Sequence, residues 1–407
     1  RRILRNVSLL WLASLLTKGS LFILSTYMAR RLGASEFGIF SLAKAIPALA
    51  FQATSLGLDV FLKRELAKDR DLTEIYLGNT LSIRIGASII TLFLVILFSF
   101  TIDYEPAVRW AILIGSVGYI FESISNVAIA VYQGHEKMQY QVVIELFKSL
   151  MSLVLGYFLL NIGYGVIEVL LLLLLLSIIK SILGLVIISF KLGSISLKFD
   201  FDVWRYMVFE SLPWVFVMLF MTANYRLDSV ILSILGGERD VGLYNAAYTI
   251  LMGLAFIPNS MTAALFPNLS QSYSISASEV RHRFNKIIIV MLIVGLVVSL
   301  PLFLSARPIL TFLYSKAYLD AVPAFRFLML TLFMMFLSGT CGIALNAVNM
   351  QRSLLAIVAL SAIVNVSLNL VLIPRLGYTG SAITAFITET IIGFLGYGIL
   401  RRRLRNS

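Results

Sequence analysis

The chain has 407 residues, of which 59% are hydrophobic and 13% charged, with a mean hydropathy of +0.92. Soluble domains carry about 25% charged residues, so this composition excludes a water-soluble enzyme, a disordered chain, a coiled coil and a disulfide scaffold. The net charge of +12 does not indicate nucleic acid as a partner, because the basic residues sit in short segments between apolar runs, as in a membrane protein.

Apolar runs bounded by charged or turn residues fall at 8–29, 37–61, 78–102, 107–132, 141–161, 166–190, 207–234, 243–267, 284–304, 323–347, 353–373 and 380–400. A helix of about 20 residues crosses the hydrocarbon layer. Continuous apolar runs satisfy their backbone groups there only as helices, whereas a barrel would show shorter alternating segments. The expectation is an all-α polytopic membrane protein with twelve transmembrane helices. The first run, Ser8 to Ala29, is too long for a signal-peptide core and reads as a span. Nineteen Lys and Arg residues lie on the side of both termini, among them Lys63, Arg64, Lys68, Arg70 and Arg401 to Arg403, against seven on the other side. That bias places both termini in the cytoplasm.

Cys341 is the single cysteine, and His135 and His282 lie far apart in loops, so neither a disulfide nor a metal-ligand set is expected. No glycine-rich loop ends in Gly-Lys-Ser/Thr, and the longest outer connection, 305–322, is too short for a nucleotide-binding domain.

The two halves repeat. Leu32-Gly33-Ala34-Ser35-Glu36-Phe37-Gly38 returns as Leu235-Gly236-Gly237-Glu238-Arg239-Asp240-Val241-Gly242 with one insertion. Leu160-Asn161-Ile162-Gly163-Tyr164-Gly165 returns more loosely as Pro374-Arg375-Leu376-Gly377-Tyr378-Thr379-Gly380. The offsets, 203 and 214, are half the chain and span six helices, so the repeat is parallel. The expected architecture is two pseudo-symmetric six-helix lobes, 1–195 and 196–407, around a central cavity.

The stretch Ala29-Arg30-Arg31-Leu32-Gly33 to Phe37-Gly38 resembles the first outer loop of the polysaccharide flippases. So does the run from Leu243-Tyr244-Asn245-Ala246-Ala247-Tyr248 through Phe256-Ile257-Pro258 to Phe266-Pro267. Asn365, Asn369, Pro374 and Gly377-Tyr378-Thr379-Gly380 are similar to that family's eleventh span and its exit. The family is the Wzx-type lipid-linked oligosaccharide exporter group of the multidrug/oligosaccharidyl-lipid/polysaccharide superfamily, and the resemblance runs along the whole chain in order. The lipid II flippases of the same superfamily have fourteen spans, so a count of twelve favours the oligosaccharide branch. The resemblance implies a non-enzyme of the cytoplasmic (inner) membrane. It would translocate a polyprenyl-diphosphate-linked oligosaccharide by alternating access, as a monomer among membrane lipids, beside polysaccharide polymerase and assembly proteins.

Charged residues fall within the spans as well as between them. Each would cost roughly 2.5–3.5 kcal/mol facing lipid at mid-depth. Lys18, Lys44, Arg84, Glu122, Glu145, Lys148, Lys180 and Arg226 lie deepest and are expected to face one another or water. Lys18, Lys44, Arg84 and Arg226 are the candidate diphosphate and cavity residues, since cations complement phosphate. Asn245, Asn346, Asn365 and Asn369 are the candidate sugar contacts, since amides match hydroxyls. Glu122, Asp59 and Glu145 are candidates for a coupling carboxylate or for ion-pair partners of the deep cations. Glu145 and Lys148, three apart, are placed to neutralise each other. Arg226 and Asp228, two apart, each need a partner elsewhere. No cofactor is expected, and with no ATP site the coupling ion would be H+ or Na+.

Three rival classes are weaker. A cation-coupled multidrug exporter of the same superfamily would carry acidic cavity residues without so basic a first lobe. A polytopic glycosyltransferase or polymerase could use Asp69-Arg70-Asp71 or Asp200-Phe201-Asp202, but such pairs arise freely in charged loops and the outer connections are short. A channel would need a repeated pore lining.

Overall fold

A computed structural model describes residues 2–275 and 277–403, and they are almost entirely helical, with no strand among them. The helices are α1 (Arg2–Thr54), α2 (Leu58–Lys68), α3 (Thr73–Thr101), α4 (Pro106–Gly134), α5 (Met138–Ile162), α6 (Val166–Lys191), α7 (Phe201–Leu235), α8 (Glu238–Leu254), α9 (Phe256–Ile275), α10 (Ala277–Leu304), α11 (Ala306–Tyr314), α12 (Val322–Ala347), α13 (Gln351–Leu376) and α14 (Tyr378–Arg403). Among the described residues, eleven helical stretches are long and apolar enough to cross a membrane. The first of these, Ser14–Thr54, breaks in the middle at Gly33, and counted as two it completes the twelve expected spans. The eighth span is α8 running into α9. The ladder breaks at Ala255, where Pro258 has no N–H to continue it.

Two helices were not expected as separate elements. The second apolar run was expected to continue to 61, but α1 stops at Thr54, and Leu56 (φ 44°) and Gly57 (φ 68°) turn the chain into α2. That helix buries Leu58, Phe61, Leu62 and Leu66 and leaves Arg64 and Lys68 on its open side. The other is α11, which fills the longest outer connection and buries Ala306, Leu310 and Tyr314.

The chain folds as two compact units, one of Arg1–Leu32 with Ile39–Thr222, the other of Gly33–Gly38 with Ala223–Ser407. The division falls inside α7, whereas the sequence suggested 195/196. The cause is the packing of α7's first half. Met207 is buried with Leu58, Phe61 and Ile83, and Arg64 Nη2 meets Glu210 Oε2 at 2.8 Å. The connection before α7 is also tied to unit 1. Glu74 accepts the backbone N–H of Ser194, and Asn79 Oδ1 accepts those of Asp200 (3.0 Å) and the Trp204 indole (2.8 Å).

Unit 1 is built on a core of Leu62, Leu66, Leu77, Leu81, Val127, Tyr132, Ile144 and Ile188. Unit 2 has a core in which Leu337, Cys341, Leu345, Phe284, Ile357 and Leu400 pack together. Large apolar side chains such as Phe93, Leu97, Phe158, Ile293 and Val297 point outward, which is stable only against lipid.

The repeated loops meet inside unit 2. Gly33 (φ 83°, ψ 179°) and Gly237 (φ 84°, ψ 179°) share a conformation closed to residues with a Cβ. A Cβ on Gly38 would lie 1.8 Å from the Glu238 carbonyl oxygen, and one on Gly242 would lie 1.8 Å from that of Ala34. Each helix start therefore rests on the backbone of the other copy. The ambiguity left by the one-residue insertion is resolved: Gly237, not Gly236, is the counterpart of Gly33. The second repeat has the same logic, with Gly163 (φ 102°) and Gly377 (φ 54°) ending α5 and α13 in the left-handed region.

A titratable corner closes the turn after α4. The Thr73 hydroxyl donates to Arg70 O (2.6 Å), so it must accept from His135 Nε2–H at 2.7 Å. Burial, then Arg70 and Lys137, hold the imidazole below its ordinary value. The neutral ring is thus favoured by folding, and stability is lost as pH falls through the unfolded value of about 6.5. Acidification from about pH 7.5 to 5.5 is expected to lower the thermal midpoint of the wild type more than that of His135→Gln. Equal pH profiles would show that the corner does not titrate in this range.

Candidate functional site

Within unit 1, three helices bring their deep charges together. Glu122 of α4 accepts from Lys148 of α5 (2.7 Å) and from Lys180 of α6 (2.6 Å). Lys148 also donates to Ser177 Oγ at 2.8 Å. Lys180 is buried, while Glu122 and Lys148 keep 28% and 22% of their side chains open, so the cluster is covered on one side only. Two ammonium groups share one carboxylate. Glu145, expected beside Lys148, instead takes a bond from Gln141 (3.3 Å).

A second pair joins α2 and α3. Arg84 is 2% exposed and its guanidinium meets Asp59 Oδ1 at 2.5 Å. The turn at Leu56 and Gly57 makes this contact, because it aims the first turn of α2 at α3. Lys44 lies on α1 with its ammonium 5.1 Å from the centre of the Phe40 ring, a cation–π contact. Lys18 is exposed on α1, and Arg226 is half-buried on α7 in unit 2. Of the four candidate headgroup cations, three belong to unit 1 and one to unit 2, and Arg84 carries its own counter-ion.

Unit 2 has a different chemistry. Asp228 is 1% exposed and accepts the Tyr244 hydroxyl (2.8 Å) and the amides of Asn365 (2.9 Å) and Asn369 (2.7 Å). Asn245, also buried, donates to Ser229 Oγ (3.0 Å) and Val241 O. Glu389 is hydrogen-bonded to Ser338. Of the four candidate sugar contacts only Asn346 is half-open, because the other three amides are held in these networks. No group of three His, Cys, Asp or Glu that could bind a metal occurs among the described residues.

The sequence did not pair Lys148 with Glu122, nor Asp228 with Asn365 and Asn369. Both involve helices tens to more than a hundred residues apart. The signal available was the spacing of Asn365 and Asn369, which puts two amides on one face of α13, together with a mid-span Asp228 lacking a charged neighbour one turn away.

A family model described as polysaccharide biosynthesis protein matches residues 3–273, and a second, described as MatE, matches residues 213–371. The chain is 24% identical over 379 residues to an Escherichia coli (strain K12) protein named as an O-antigen transporter, covering 90% of this chain and 89% of that protein. It is 22% identical over 415 residues to the capsular polysaccharide biosynthesis protein CapF of Staphylococcus aureus, covering 98% of this chain and 99% of that one. Among solved structures, an inward-facing multidrug resistance MATE family transporter of the MOP superfamily superposes with a TM-score of 0.75 at 18% identity, covering 97% of this chain and 95% of the other. The fold is thus that of the MOP-superfamily transporters, and the chain belongs to the polysaccharide biosynthesis protein family.

Proposed function

We propose that this protein carries a polyprenyl-diphosphate-linked oligosaccharide from the cytoplasmic to the outer leaflet of the cytoplasmic membrane by alternating access. The observation that carries this reading is the surplus of cationic over anionic groups on the spanning helices of unit 1. Lys148 and Lys180 share Glu122, and Lys18 and Lys44 lie on α1. A diphosphate complements such a surplus through charge-assisted hydrogen bonds, whereas a cationic drug would be repelled by it. The names of the two relatives, both concerned with surface polysaccharide, support the same substrate class.

In this reading Lys18, Lys44 and Arg226 meet the diphosphate and Asn346 meets sugar hydroxyls. Arg84, bonded to Asp59, shapes the wall and adds charge at a distance. Asn245, Asn365 and Asn369 hold the inside of unit 2. Both termini lie in the cytoplasm, the protein acts as a monomer and delivers its cargo to polymerase and assembly proteins, and net export draws on an H+ or Na+ gradient.

The test is reconstitution in liposomes with a defined lipid-linked oligosaccharide and leaflet-resolved detection. Lys18→Gln and Lys44→Gln are expected to cut the initial transport rate at least tenfold while leaving the purified protein folded: Lys18 is exposed, where substitutions are usually worth less than about 0.5 kcal/mol, and half-buried Lys44 loses a cation–π contact worth about 0.5–1 kcal/mol. Normal transport by the double variant would overturn the headgroup assignment.

A further inference from the structure

Three helix ends of unit 2 share one core. Phe284 and Ile287 near the start of α10, Val348 and Leu354 around the turn from α12 to α13, and Tyr397 and Leu400 near the end of α14 pack together. The rings of Phe284 and Tyr397 stack with centroids 6.2 Å apart. Lys286, Arg352, Arg401 and Arg402 stand next to these residues in the chain and are exposed. The segments that carry them, 282–304, 341–376 and 390–403, contain no Asp or Glu. The basic connections of unit 1 are built differently, because carboxylates accompany their cations. Arg64 meets Glu65 and Glu210, Lys68 meets Glu65, and Arg70 meets Glu136.

A second observation concerns the direction these cations face. Residues spaced by whole helical turns share a face. On α10, Lys286 lies on the face of Ile293 and Val297, both exposed. On α13, Arg352 lies on the face of the exposed Ile363 and Leu370. On α14, Arg401 and Arg402 follow the exposed Phe394 and Leu395 by about two turns. Exposed apolar stripes of this kind face lipid tails. Each of the three stripes therefore ends in a cation, at the depth where the tails give way to headgroups.

We infer that this end of unit 2 is a binding surface for anionic phospholipids of the surrounding leaflet. Lys286, Arg352, Arg401 and Arg402 take the phosphates, and the stripes above them take the tails. An arginine fork matches phosphate oxygens with two parallel hydrogen bonds. A zwitterionic headgroup brings its own ammonium, which cancels that attraction, whereas an anionic one leaves a net charge for the cations to meet. Clusters of Lys and Arg at the end of a span bind anionic lipid in this way. A soluble acidic protein could meet the charges but not the apolar stripes that lead to them. The inference is independent of the transported substrate: it concerns the lipids that hold unit 2 in place.

The experiment reconstitutes the purified full chain in phosphatidylcholine vesicles with a trace of spin-labelled lipid, and electron spin resonance reads the share of label immobilised against the protein. Spin-labelled phosphatidylglycerol is expected to associate about threefold more strongly than spin-labelled phosphatidylcholine at low salt, with the preference shrinking towards about 1 M NaCl. Arg352→Gln with Arg401→Gln is expected to remove at least half of the preference. Lys68→Gln with Arg70→Gln, which removes the same charge from unit 1, is expected to leave it nearly unchanged. Arg352→Lys with Arg401→Lys keeps the charge and should keep most of the preference, which separates lost binding from lost folding. Equal association of the two labels with the wild type overturns the surface. So does a full preference in the Arg352→Gln, Arg401→Gln protein, or an equal loss in the two glutamine variants, which would make the preference a matter of total charge. None of these readouts involves transport, so their failure leaves the proposed substrate untouched, and a failure of transport leaves this surface standing.

Discussion

Replacing Gly242 or Gly38 with alanine is expected to destabilise the protein by about 3 kcal/mol, the upper end of what overpacking costs, and to lower the yield of folded protein in the membrane. The new methyl would stand 1.8 Å from a backbone carbonyl oxygen in either case. Backbone cannot rotate aside as a side chain can, so the two helix starts must separate. Paired replacement should not rescue, because each methyl meets a different carbonyl. The control is Gly86→Ala, where a Cβ meets nothing within 4 Å and the midpoint should hold or rise slightly, since alanine favours helix over glycine by up to about 1 kcal/mol. A Gly242→Ala protein with a normal midpoint would mean that the close crossing does not form.

The second large effect is expected at Asp59. Asp59→Ala leaves the Arg84 guanidinium buried, 2% exposed, without its counter-ion. Removing one partner of a buried pair costs about 3–5 kcal/mol. Arg84→Met in the same chain should recover most of that loss, because two apolar groups replace a matched pair. Thermal midpoints of the two single variants and the double variant form a cycle. An additive cycle, with no recovery in the double variant, would show that the pair contributes no coupling. A folded double variant also permits a transport measurement, which reads any contribution of Arg84 to substrate handling apart from its structural one.

What could be read from the residues in order was what local chemistry determines. Twelve spans follow from run length, because each run satisfies its own backbone as a helix. The repeated loop was legible because glycine at Gly33 and Gly237 answers a backbone requirement that few residues meet. The partners of the deep charges were legible only in part. Asp59 was one of three carboxylates foreseen as partners for the deep cations, and it pairs with Arg84. Lys148 was assigned to Glu145 by helical spacing, but its long stem reaches across to Glu122 on α4. The division between units was placed at 195/196 by the symmetry of the halves. It moves into α7 because Met207 and Glu210 are held by α2, a helix the hydropathy pattern merged with the span before it.

Cys341 is fully buried, wedged between Leu337, Leu345 and the backbone of α14, where a Cβ on Gly396 would lie 2.9 Å from its own. A thiol so enclosed reacts with a maleimide dye only when the packing around it opens. As the single cysteine of the chain, it gives the wild type a native clock for the opening of unit 2. The rate of dye uptake on warming reports when that core comes apart, residue-specifically and without any engineered label. Cysteines introduced elsewhere for accessibility work therefore need no cysteine-free parent, since the folded chain contributes no background of its own.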